Sequence, residues 1–145
     1  MTRLVPLPAL ALAAGLTAVT LPAAAGTQLP VAIGGYDAVS YHQDAPAEGR
    51  AQFSHFWNGA VWYFASAENR DVFAESPAAF APAYDGYCAY AAAQGYKAPG
   101  DPTVFAVVDG TLYLNVSERA QDLWEQDVPG HIATADETWP RIHPY

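Results

Sequence analysis

The sequence holds a single cysteine, Cys88, in 145 residues. One thiol excludes a disulfide within the chain and a four-cysteine zinc site. Basic residues are also few: six Lys and Arg face 15 Asp and Glu, for a net charge of −9. Phosphate backbones are gripped by Lys and Arg, so this balance argues against a nucleic-acid partner. Charged residues of both signs make up only 14% of the chain, while aromatics make up 13%. That is the reverse of a disordered tail, and the length suits one ordinary domain. Gly34-Gly35 lacks the G-x-G-x-x-G spacing that cradles a dinucleotide. No serine–histidine–acid order and no paired-carboxylate signature stands out, so the residues lean against an enzyme without excluding one.

The one long hydrophobic run lies at the start. Arg3 is the only charge before Asp37, and Leu4 to Leu21 is apolar or small. Ala23 and Ala25 then form an A-x-A-type cleavage site. Residues 1–25 therefore read as a signal peptide and 26–145 as the domain. The competing reading is an uncleaved anchor, which Pro6, Pro8, Gly15 and Pro22 suit poorly. Cleavage leaves 120 residues with five basic and 15 acidic side chains, a net charge of −10. No later run is long enough to span a bilayer. The expected product is a soluble periplasmic or secreted protein with no stable membrane span.

Turn chemistry divides the domain. Ala38 to Tyr41 reads as a short strand-like piece, and Gln43 to Gly49 as a polar loop. Gln52–Trp57 and Ala60–Ala65 flank Asn58-Gly59, a pair suited to a hairpin turn with positive φ. Ser66 follows as a helix N-cap, and Val72 and Phe73 supply an apolar helix face. Ser76-Pro77 opens another short helix, and Gly95 closes a small-residue helix within Gly86–Gln94. Val104–Val108 and Thr111–Val116 flank a second turn, Asp109-Gly110, and Ser117 caps the next helix. The Asn115-Val116-Ser117 sequon is better read through that cap. Pro129-Gly130 breaks the chain, after which Ile132, Ala135 and Trp139 recur at helical spacing.

The two hairpins align at a constant offset of 51 residues. Asn58 matches Asp109, Gly59 matches Gly110, Trp62 matches Tyr113, Ser66 matches Ser117, and Phe73 matches Trp124. Each unit is a hairpin, a serine cap and a helix with an aromatic seven residues after the cap. An internal ββα duplication is one reading, and chance repetition of common turn grammar is the other. Either gives an α+β fold: one small domain with two antiparallel hairpins, each followed by a helix.

Four segments together carry a family likeness. They are Ile33-Gly-Gly-Tyr-Asp-Ala-Val-Ser-Tyr41, Asn58 to Phe73, Pro82-Ala-Tyr-Asp-Gly-Tyr-Cys-Ala-Tyr90, and Asp109-Gly-Thr-Leu-Tyr-Leu-Asn115. In combination they resemble the exported bacterial YHS-domain proteins, over nearly all of the domain from Ile33 to Trp139. YHS domains also occur in copper-transporting ATPases and related metal proteins, where the segment after the hairpin reads Phe-Cys-Ser-x-x-Cys. Here Phe64-Ala65-Ser66-Ala67-Glu68-Asn69 puts Ala65 and Asn69 where those cysteines stand. The resemblance thus implies the domain without that thiolate pair, and the thiol recurring in the exported branch matches Cys88.

Cys88 becomes the focal residue. In an oxidising compartment a lone thiol is a soft-metal ligand, a redox nucleophile with an external partner, or a buried small hydrophobe. Its setting, Asp85 to Tyr90, fits a loop-to-helix junction. His42 and His55 are the candidate co-ligands for a metal ion, copper first, because a thiolate with one or two imidazoles suits copper(I). Tyr36, Asp37, Trp62 and Tyr87 are the candidate walls of a small-ligand pocket. For Asp37, beside Gly34-Gly35, a structural latch is the competing role. For the 19 aromatics, so is simple core packing. The expected function is binding of a metal ion or small molecule near Cys88. Thiol redox chemistry and a structural or interaction module are the alternatives.

Overall fold

A computed structural model describes residues 28–143. The expected signal peptide lies outside the described residues. The first hairpin is β1 (Arg50–Trp57) and β2 (Ala60–Phe64), and the second is β3 (Asp101–Val108) and β4 (Thr111–Asn115). Each pair is its own antiparallel two-stranded sheet. Helices α1 (Ala38–Tyr41), α2 (Ala67–Glu75), α3 (Pro77–Phe80), α4 (Ala89–Ala93), α5 (Glu118–Trp124) and α6 (Val128–Ile142) complete an α+β domain.

The turns form as their residues require. Asn58 and Gly59 have φ of 49° and 77°, and Asp109 and Gly110 repeat this at 49° and 78°. Ser66 accepts the amide of Asn69 and Ser117 that of Ala120, each bond satisfying a free amide of the first helical turn. Phe73 and Trp124, seven residues past those caps, are both fully buried. On β2, Trp62 and Phe64 point into the core, as alternation demands.

The repeat extends well upstream of the hairpins. Ile33, Gly34 and Gly35 take three successive left-handed conformations, and so do Tyr84, Asp85 and Gly86, again 51 residues on. Tyr36 bridges Glu48, and Tyr87 bridges Pro99. The Gly49 amide donates to the Gly35 carbonyl at 2.8 Å, and the Gly100 amide to the Gly86 carbonyl at 3.1 Å. The close approach explains glycine at both places. A Cβ on Gly49 would collide with the Tyr63 backbone, and one on Gly100 with the Gly86 carbonyl. Both long strands carry a register irregularity at the same position, Arg50 to Ser54 and Asp101 to Phe105.

A two-stranded hairpin is marginal alone, so the two copies depend on a shared interior. Tyr41 of the first copy packs with Leu112 and Leu114 of the second, and its hydroxyl donates to the Pro102 carbonyl at 2.6 Å. Helix α6 closes the second copy through Ala135, Ile132 and Trp139.

Three expectations are corrected. Ala38 to Tyr41 is helical rather than strand-like, because the Asp37 carboxylate caps its first amides. Val72 is exposed, leaving Phe73 as the buried contact of α2. Pro129 opens α6 instead of breaking the chain, since a first-turn proline lacks only an amide that would be unpaired anyway.

Candidate functional site

The two copies build the Cys88 region and the Asp37 region from equivalent positions. Asp37 is completely buried and is an acceptor hub. Its Oδ1 accepts the amides of Val39 at 2.9 Å and Ser40 at 3.3 Å. Its Oδ2 accepts the Ala65 amide at 2.9 Å and Asn69 Nδ2 at 2.7 Å. Ala65 and Asn69 therefore both point donors at one carboxylate. Asp37 is a structural latch tying α1 to α2.

Cys88 stands 51 residues after Asp37 and caps α4. It is 1% exposed. Its Sγ accepts the Ala91 amide at 3.4 Å, and its thiol donates to Asn115 Oδ1 at 3.4 Å. Asn115, fully buried, also accepts the Tyr90 amide at 3.0 Å and donates to Gln121 Oε1 at 2.6 Å. The amide of Asn115 thus takes over the helix donor that Asp37 satisfies by itself in the first copy.

The candidate co-ligands serve aromatic packing. The His42 ring meets the edge of Phe80 at 5.3 Å, and the His55 ring meets Phe73 at 6.1 Å. Among the described residues, no group of three or more His, Cys, Asp and Glu is placed to hold a metal ion. A thiol bonded to an amide oxygen and a backbone amide is a poor donor set for copper, which needs a second soft or imidazole ligand. The residues around Cys88 therefore do not fit that centre.

A groove of about 850 Å³ between the two copies has room for a ligand. It falls within the range of small-molecule sites. Trp57 and Trp62 form one wall, with ring centroids 5.8 Å apart and the Trp62 indole donating to the Trp57 carbonyl at 3.0 Å. Tyr87 and Trp139 form the other wall, 5.6 Å apart. The His143 ring packs at a tilt against Trp139, centroids 4.6 Å apart, and places Nε2 3.1 Å from Asp85 Oδ2. Both left-handed turns reach the groove, through Ile33 and Gly34 from one and Asp85 and Gly86 from the other. Left-handed Ile33 and Asp85 are costly conformations, of the kind that gather at ligand sites.

Two of the four expected pocket residues, Trp62 and Tyr87, line this groove, while Tyr36 and Asp37 are not among its lining residues. Tyr36 packs against Tyr41 instead. Cys88 follows Tyr87 in the chain yet faces inward, packed with Ala91 and Ala120. The residues that sequence reasoning missed are Trp57, Asp85, Trp139 and His143. The available signal was the match of Gly35-Tyr36 to Gly86-Tyr87, which carries the repeat offset into both turns.

Burial and the neighbouring Asp136 carboxylate push the Tyr84 phenol well above its ordinary range, with its hydroxyl donating to Asp136 Oδ1 at 2.9 Å. Burial likewise raises Tyr41. These are held neutral as structural donors. No helix among the described residues is long and apolar enough to cross a membrane. Comparison with protein-family models, curated proteins and solved structures finds no match to this chain.

Proposed function

We propose that this chain is an exported YHS-type domain that binds a small, largely apolar molecule in the aromatic groove between its two ββα copies. The observation that carries the reading is the groove itself: about 850 Å³, walled by two pairs of aromatic rings and floored by two strained turns. Rigid aromatic walls offer large contact area with little side-chain entropy to lose. Of the two occupants expected near Cys88, a metal ion and a small ligand, this geometry supports the second. The thiol acts as a buried cap adjacent to the groove wall, and the titratable side chains in the groove lining are His143 and Asp85, tied to each other, and Tyr87.

The test uses the neutral fluorophore N-phenyl-1-naphthylamine. Its emission should rise on titration with the protein, and Trp57→Ala or Trp139→Ala should weaken binding at least about tenfold. Far-UV circular dichroism establishes that each variant is folded. Absence of binding, or equal binding by both folded variants, overturns the proposal.

A further inference from the structure

We infer that the groove is built for an organic cation, such as a substituted ammonium, with Asp85 as its counter-ion; this rests on the groove being a ligand site.

The charge of the lining is one-sided. Asp85 is its only acidic side chain, and no Lys or Arg lines it. The Asp85 side chain is half-exposed, so it can meet a ligand while keeping its tie to His143. That imidazole offsets the carboxylate only when protonated. The left-handed backbone at Asp85, φ 51°, fixes where the carboxylate sits on the groove floor. Trp57, Trp62, Tyr87 and Trp139 line the same groove. Aromatic faces carry negative potential and attract cations, tryptophan most strongly.

One groove ring already holds a cation of the chain itself. The Lys97 ammonium lies 5.0 Å from the centroid of Tyr87. Lys97 is an exposed side chain, so its opposition to an incoming cation is screened by solvent. The chain's net charge of −9 adds a long-range field of the same sign as Asp85. An anionic ligand would meet that field and a carboxylate, with no Lys or Arg in the lining to receive it. A neutral ligand would gain contact area and nothing from the charge.

Three probes of matched shape separate the cases: choline, 3,3-dimethyl-1-butanol and 3,3-dimethylbutanoate. Each is titrated against bound N-phenyl-1-naphthylamine at pH 8, for wild type and for Asp85→Asn. Asparagine tolerates the left-handed backbone, so this variant removes the charge and keeps the turn. Choline should displace the fluorophore at about tenfold lower concentration than the alcohol, and the carboxylate least well. In Asp85→Asn the preference for choline over the alcohol should fall to about twofold or less. Equal displacement by choline and the alcohol, or a preference unchanged by the substitution, overturns the cation inference while the groove stands. If the fluorophore does not bind at all, the groove reading fails and this one with it.

Discussion

Replacing Asp37 by Asn tests whether one buried carboxylate ties the first copy together. Asparagine keeps one acceptor oxygen, which can still serve the amides of Val39 and Ser40. Its new NH2 group then faces the Ala65 amide and Asn69 Nδ2, two donors that now meet a third. Two charge-assisted bonds are lost, each worth about 1.5–3 kcal/mol. The expected destabilisation is about 3–5 kcal/mol, a large share of the roughly 5–15 kcal/mol that holds a domain folded. Urea unfolding followed by tryptophan fluorescence reads it directly. With a slope of about 1.5–2 kcal/mol per molar, the midpoint should fall by roughly 2 M. A second substitution sharpens the test. Asn69→Asp supplies an acceptor for the new NH2 and places a carboxylate in the first turn of α2, where the helix dipole favours it. Alone, it would set two carboxylates against each other. Combined with Asp37→Asn, it should restore about 1–2 kcal/mol relative to Asp37→Asn, a coupling that only direct contact explains. A midpoint shift below about 0.5 M for Asp37→Asn, or no recovery in the double variant, refutes the latch.

Alkaline unfolding should report the buried phenols. A phenol whose folded pKa is raised keeps its proton longer in the folded state. Its stabilising contribution is therefore complete below the ordinary value near 10 and is lost as pH rises above it. Each such tyrosine removes up to about 1.4 kcal/mol per pH unit, and Tyr84→Phe should flatten the decline measured by urea midpoints between pH 9 and about 11.5. Cys88 should resist alkylation in the folded protein and react at once in denaturant; rapid labelling of the folded state would contradict its burial. Gly100→Ala should cost about 2 kcal/mol or more, because the added methyl meets the Gly86 carbonyl and Leu114; a midpoint unchanged in urea would refute that packing. Trp124→Phe should be milder than Trp124→Ala, which removes about 3–5 kcal/mol, because the Trp124 indole N–H is buried without a partner and phenylalanine discards it.

The parts of the fold written in local chemistry were legible in the sequence. Asn58-Gly59 and Asp109-Gly110 state their turns, and Ser66 and Ser117 state their caps, because each acts within a few residues. Ala38–Tyr41 misleads because four apolar and small residues fit either a strand or a helix. The deciding group, the Asp37 carboxylate, also bonds Ala65 and Asn69 far along the chain. The groove was only half legible. Trp62 and Tyr87 belong to motifs, whereas Trp139 and His143 arrive from the last helix, and no spacing rule joins them to Trp57. Cys88 drew attention through its rarity, but rarity carries no information about which way a side chain faces.

The exchange of partners between the two copies has a consequence of its own. In the first copy the acceptor for the helix amide travels with position 37, so that position has to be an acid or something close to it. In the second, Asn115 reaches across from β4 to do the same task. Position 88 is thereby released from carrying an acceptor and needs only to be small, apolar on one side and content with weak hydrogen bonds. A thiol meets those terms. Sealed behind Ala91 and Ala120, it is out of reach of a second chain's thiol, so the folded protein is protected from cross-linking to itself under oxidising conditions.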